Sequence, residues 1–245
     1  MKRVLIVGTS HSEATCQYEK DGTYERLHGR RWQDYLEDHE CKVTTIARAG
    51  TTVELQYMAV HAYFQDNPDA VFDIAVIEGR SIETTISMPG ESYTDKLPYE
   101  HFWKRYDTSR SVKEFEQREI VAIDSEKIQH TPELVPYYVE HVFSLNHAVN
   151  TWSTNYALCS LIATRANVVK WFAFSNSDVY VKNPEHKHMK LGKDILSDFL
   201  LSDELWPTVD FQLNGDELCH CKHMNELGHK RFWREAIYPN IKQYI

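Results

Sequence analysis

The feature that most limits the fold is an alternation near the amino terminus. Lys2–Val7 is an apolar run stopped by Gly8, Lys42–Ala47 is rich in β-branched residues, and Phe72–Ile77 (FDIAVI) is apolar on both faces. Between them, Tyr24–His39 carries Leu27, Trp32, Tyr35 and Leu36 at the spacing of one helical face. Val53–Gln65 repeats the pattern with Leu55, Met58, Ala59, Ala62 and Phe64. Strand, helix, strand, helix, strand within about 80 residues implies right-handed crossovers and a parallel sheet. Strands in such a sheet are covered on both faces, so they read as continuous apolar runs. The expected fold is α/β, in three layers, around a parallel sheet of about five strands.

The alternation breaks between Ser81 and Pro136, a stretch of prolines, charges and aromatics that includes Tyr93, Tyr99, Phe102, Trp103 and Tyr106. It is too long for a plain connection. It reads as an insertion at about 82–136, a lid over the carboxyl ends of the strands, lying between the third and fourth. A helical region follows from Glu133 to Ala166, then a strand at Val168–Phe174, a helix at Asp194–Leu201 and a fifth strand at Val209–Leu213. A last helix starts near Asn225, a good N-cap, and runs towards Ile237. With no repeat and no Gly/Ser linker, residues 1–245 read as one domain.

Composition narrows the class of partner. The chain is 42% hydrophobic and 26% charged, enough to bury a core, and its formal net charge of -9 disfavours a generic nucleic-acid grip. Arg30–Arg31 is a local basic patch. No apolar stretch approaches the roughly 20 residues that span a bilayer, and Val4–Val7 is too short for the core of a signal peptide, so a cytoplasmic protein is expected. The five cysteines are odd in number and scattered, which points to reduced thiols.

In an open parallel sheet, ligands bind beyond the carboxyl ends of the strands. The loop there after the first strand is Gly-Thr-Ser-His-Ser, Gly8–Ser12. Gly8 allows a sharp turn. Ser10 then stands at the strand's end, where a serine serves either as a helix cap or as a nucleophile. The loop lacks the glycine patterns that cradle phosphates. Near the other end, DELCHCKHMNELGH gathers His220, His223 and His229 with Cys219 and Cys221 around a helix start. These are zinc-ligand types, but one residue separates the cysteines where zinc pairs usually have two to four, and a second cysteine pair is absent.

With these motifs the sequence resembles the SGNH (GDSL-like) hydrolases, as a divergent member. The family's first block is a Gly-Asp-Ser turn after strand one, matched by VLIVGTSHS with Ser10 as nucleophile and Thr9 in place of Asp. Its second is a glycine after strand two, here Gly50 in IARAGTTV. Its third is Gly-x-Asn after strand three, where VIEGRS keeps Gly79 and has Ser81 for Asn. Its fourth is Asp-x-x-His before the last helix, where HCKHMNELGH keeps His223 and has His220 at the acid's place.

The resemblance implies a flavodoxin-like α/β/α fold and hydrolysis or transfer of an ester-linked acyl group, with no cofactor. Ser10 would attack and His223 would act as base. Asp216 or Glu217, which precede His223 in the same loop, would orient it, Asp216 being the first choice, or Ser10 and His223 would work as a dyad with a backbone carbonyl orienting the ring. The N–H groups of Ser10 and Gly50 would hold the oxyanion, assisted by Ser81. Arg80, His11 and His220 would line the substrate site. The expected partner is a small-molecule or carbohydrate ester, without nucleic acid or membrane, and the oligomeric state is left open. Two other readings remain: a binding module that keeps the scaffold without turnover, and a metal-dependent hydrolase.

Overall fold

A computed structural model of the chain describes residues 1–16, 18–19, 25–48, 51–79, 85–87, 121–123, 145–173, 187–202, 215–220 and 223–245. In chain order the elements begin with β1 (Arg3–Gly8), the single turn α1 (Ser10–Glu13), and two short strands, β2 (Thr15–Cys16) and β3 (Glu25–Arg26). A 3-10 helix (Trp32–His39), β4 (Lys42–Ala47), α2 (Val53–Asp66) and β5 (Phe72–Gly79) follow. Then come β6 (Thr85–Ser87), β7 (Val121–Ile123), α3 (Leu145–Ala163), β8 (Ala166–Ala173) and α4 (Lys187–Leu196). The chain closes with α5 (Glu226–Phe232), a π-helical turn (Trp233–Ile237) and α6 (Tyr238–Ile241).

The main sheet has the order β4-β1-β5-β8 and every pairing in it is parallel. Its register aligns the strand ends. Gly8 pairs with Ala47, Val7 with Ile77, and Gly79 with Ala173, so the connections that follow β1, β4, β5 and β8 leave from one rim. From β1 the chain moves to β4 on one side and then to β5 on the other. The crevice between the ends of β1 and β5 is therefore the topological switch point, where such sheets bind ligands.

Successive residues of β1 face opposite layers. Leu5 and Val7 join Ala59, Val60, Leu158 and Ile162 in a core under α2, α3 and α4. Val4 and Ile6 join Trp32, Leu36, Phe232 and Ile237 in a core under the 3-10 helix and the carboxyl-terminal helices. On α3 the buried positions Trp152, Asn155, Leu158, Cys159 and Ile162 recur every three or four residues, the stripe a helix presents to a sheet.

Several expected elements differ. Tyr24–His39 is not one helix: β3 occupies Glu25–Arg26, and helical structure starts only at Trp32. Its apolar residues serve two cores. Leu27 packs with Ala14, Cys16 and Cys219, whereas Trp32 and Leu36 pack under the sheet. The helix expected at Asp194–Leu201 starts earlier, at Lys187, and ends at Leu196. Past it the chain pairs with β8: Trp171 donates its N–H to the Phe199 carbonyl, and the Leu201 N–H returns to the Trp171 carbonyl. That short parallel contact lies beside the outer strand of the sheet, which has four strands among the described residues. The expected fifth strand, Val209–Leu213, lies outside the described residues, as does most of the expected insertion at 82–136; β6 and β7 within it pair antiparallel. Residues 133–144 of the expected long helix also lie outside. The Arg30–Arg31 patch is neutralised locally, Arg30 by Asp38 at 2.9 Å and Arg31 by Asp34 at 2.7 Å. Among the described residues no helix is long and apolar enough to cross a membrane.

Candidate active site

β1 delivers Gly8 to the switch point, and α1 begins two residues later. A β-carbon on Gly8 would run into the Ser12 side chain and lie 2.9 Å from Glu78 Oε2, so the turn closes only over a glycine. Ser10 opens α1 and is 7% exposed; Thr9 and Ser12 beside it are buried. The turn ends at Ala14, whose left-handed φ of 60° returns the chain into β2 while its N–H bonds back to the Ser10 carbonyl.

Three neighbouring elements hold this turn. From β5, the buried Glu78 carboxylate accepts the Thr9 N–H (3.1 Å), the Ser12 N–H (2.8 Å), the Ser12 hydroxyl (2.5 Å) and the Thr9 hydroxyl. From the 3-10 helix, the buried Gln33 amide donates to the Ser12 carbonyl at 2.5 Å. From α2, the Gln56 amide donates to the Glu78 backbone carbonyl at 2.9 Å and fixes the strand end itself.

The histidine loop reaches the same rim. Cys219 donates its N–H to the His223 carbonyl (2.8 Å), and Leu218 bridges to Met224, so His223 sits on a tight antiparallel reversal. Asn225 then caps α5, accepting the N–H groups of Leu227 (2.9 Å) and Gly228 (3.1 Å), while its amide donates to the Asp216 carbonyl at 2.7 Å. A disulfide between Cys16 and Cys219, with α-carbons 5.9 Å apart, ties this loop to the serine turn across 203 positions of sequence. The His11 and His223 rings stand 5.0 Å apart. Reduced thiols were expected, and this pair is a correction: cysteines so distant cannot be matched by counting. Cys41 and Cys159 are buried free thiols.

His229, on α5, is 1% exposed and accepts the Trp32 N–H on Nδ1 at 3.3 Å. Burial, reinforced by His11, Arg31 and His223, holds its pKa well below the ordinary histidine value. The ring is therefore neutral, with its proton on Nε2.

Of the residues singled out in the sequence, His11 and His223 come together, their rings 5.0 Å apart, and Ser10 is the residue before His11 on α1. Asp216 and His220 are exposed on the loop, and Glu217 is buried with its carboxylate 2.8 Å from Arg231. Gly50, Arg80 and Ser81 lie outside the described residues. Among the described residues no three His, Cys, Asp or Glu side chains are gathered as metal ligands, and the disulfide takes Cys219 out of the thiolate set considered for zinc. Glu78, Gln33 and the neutral state of His229 were not foreseen. The one available signal was Glu78 itself, an ionisable residue that follows the apolar run Ile74–Ile77 at the end of β5.

No protein-family model and no curated protein matches the chain. Solved structures do. An acetylxylan esterase from Geobacillus stearothermophilus is 13% identical over 98% of this chain and 94% of its own, with a TM-score of 0.50. A catalytic mutant of that enzyme gives 0.51 at 11% identity, over the same 98% and 94%. A lipase/acylhydrolase from Enterococcus faecalis is 11% identical over 99% of this chain and 96% of its own, with a TM-score of 0.49. The likeness to the Geobacillus enzyme extends over nearly the full length of both chains, and the chain thus has the α/β fold of an SGNH-type hydrolase.

Proposed function

We propose that this chain is a serine-dependent hydrolase of acyl esters, acting on a small molecule or an acylated carbohydrate. The observation that carries the reading is the meeting of the Ser10 turn and the His223 loop at the switch point, tied by the Cys16–Cys219 disulfide. The fold is also that of an acetylxylan esterase.

In this scheme Ser10 Oγ attacks the ester carbonyl carbon as its proton passes to the His223 imidazole. The resulting oxyanion is held by N–H groups of Ser10 and Gly50, with Ser81 assisting. Collapse of the intermediate breaks the bond to the alkoxide, which takes the proton from His223. Water then repeats the sequence on the acyl-enzyme and releases the acid. The chemistry needs no cofactor. Ser10 and His223 form a dyad, and Asp216, exposed on its loop, contributes little to orienting the ring.

The test is labelling by a fluorophosphonate probe together with hydrolysis of an aryl acetate. Wild-type protein is expected to be labelled and to turn over. Ser10→Ala should abolish both, and His223→Ala should lower kcat by at least about 1000-fold. Asp216→Asn should cost less than about tenfold, because the dyad does not depend on that carboxylate. A folded wild-type sample that neither reacts with the probe nor hydrolyses the ester would overturn the reading in favour of a binding module.

A further inference from the structure

We propose that Glu78 is the positioning residue of the nucleophile turn, a role that rests on the serine-hydrolase reading above. Ser10 lies between Thr9 and Ser12, and the Glu78 carboxylate grips both of them by backbone and side chain. Oε2 takes the Thr9 N–H at 3.1 Å and the Ser12 N–H at 2.8 Å, while Oε1 takes the Thr9 hydroxyl.

Thr9 is the N-cap of α1, yet its side chain makes no capping bond. The capping work, acceptance of the N–H two residues beyond the first helical position, is done by Glu78 from the neighbouring strand. A one-turn helix has almost no stability of its own, since nucleation is unfavourable and nothing propagates from it. The conformation of the Ser10 turn is therefore set by what grips it from outside. Where the Gly-Asp-Ser turn of the resembling family carries a carboxylate within the turn, this chain has Thr9 there and brings a carboxylate from β5.

All four groups that reach Glu78 are donors, and two of them are backbone N–H groups that cannot reverse their role. A carboxylate satisfies them together. An apolar side chain would leave buried N–H groups without acceptors. A glutamine can keep its oxygen at the Oε2 position for both N–H groups and turn its NH2 towards the Thr9 hydroxyl, which can accept. Positioning thus predicts rescue by the amide, because it depends on acceptor geometry at Oε2. The anchor is itself anchored: Gln56 holds the Glu78 backbone at 2.9 Å, and Gln33 holds the far end of the turn through the Ser12 carbonyl at 2.5 Å.

The experiment measures kcat and KM on an aryl acetate, and the rate of fluorophosphonate labelling, for wild type, Glu78→Leu and Glu78→Gln, with near-ultraviolet circular dichroism as the check of folding. Glu78→Leu should lower kcat and labelling by about 100-fold with KM nearly unchanged, the scale of loss expected from a small misplacement of a reacting group. Glu78→Gln should recover both to within about tenfold of wild type. If Glu78→Leu does not fold, Ser12→Ala removes a donor to the same carboxylate without altering the strand. Its effect on kcat should then be non-additive with that of Glu78→Gln. A folded Glu78→Leu with wild-type kcat, a Glu78→Gln no better than Glu78→Leu, or strict additivity with Ser12→Ala overturns the proposal while an active wild type leaves the esterase reading standing. A wild type inert to probe and ester overturns both.

Discussion

His229 shows how burial decides what a histidine does. The sequence shows three histidines near the last helix, but spacing cannot say which of them turns inward. In the structure His229 is 1% exposed and spends its Nδ1 lone pair on the Trp32 N–H. Burial, then the His11, Arg31 and His223 charges, depress its pKa in the folded state. The sign of the resulting pH effect follows. Above about pH 6.5 neither folded nor unfolded chain protonates this ring, and its contribution is flat. Below that the unfolded chain takes up a proton that the folded chain refuses, so stability falls as pH falls towards the depressed folded value. The slope from this residue alone is at most about 1.4 kcal/mol per pH unit. His229→Asn keeps an oxygen acceptor for the Trp32 N–H and removes the titration. Urea midpoints between about pH 7 and 5 should fall less steeply in the variant, even if it is less stable throughout. Glu78 was legible to the same limited degree: its place directly after the apolar run Ile74–Ile77 marks it as unusual, but only the fold reveals that it faces Thr9 and Ser12.

Elements differ in how openly the sequence displays them. α2 was readable because Val53, Ala59, Val60 and Phe64 recur towards one core, and β4 because β-branched residues fill it. The segment before β4 was misread because its apolar residues are divided between the sheet core and a small cluster around the disulfide. The three consecutive residues Phe199, Leu200 and Leu201 look like a helix end, yet they pair with β8, a tertiary outcome that local pattern cannot show. The pairing of Cys16 with Cys219 was equally hidden, and it has consequences for the elements it joins. By loop-closure entropy, a link across 203 positions removes about 5 kcal/mol of freedom from the unfolded chain. It also holds β2, which follows the serine turn, against the reversal that carries His223. Disulfides persist chiefly in oxidising compartments, which is a residue-level argument against the expected cytoplasmic setting. A Cys16→Ser/Cys219→Ser double variant, or thiol reduction of the wild type, should lower stability to urea by about 2–5 kcal/mol. On the proposed function ester turnover should fall as well, measured well below the unfolding midpoint, because the Ser10 turn and the His223 loop lose their covalent tie.

At the scale of the molecule, the sheet separates two apolar layers, and the layer beneath the site draws on the whole length of the chain. Phe232 of α5 packs against Trp32 of the 3-10 helix at 6.2 Å and Phe172 of β8 at 5.4 Å, and Trp32 meets Phe172 edge-on at 6.1 Å. Three rings from three distant segments thus close one triangle, and all three side chains are fully buried. The α/β class and the first three strands of the parallel sheet were legible, because the apolar runs of β1 and β5 declare burial on both faces. This closure was not, since nothing in a helix's own periodicity names the segments it will meet. The triangle also fixes the site at a distance. α5 carries His229, and it starts at Asn225, whose side chain braces the His223 loop through the Asp216 carbonyl. Phe232→Ala should therefore cost about 3–5 kcal/mol by cavity formation. Aromatic fluorescence and far-ultraviolet circular dichroism should still report one common unfolding transition, because β1 and β5 belong to both layers. Ester turnover should decline at temperatures well below that transition, as the helix that supports the His223 loop loosens from the sheet. If the variant instead shows two separated transitions, with turnover tracking the earlier one, the carboxyl-terminal layer folds as its own unit and the His223 loop is coupled to that unit alone.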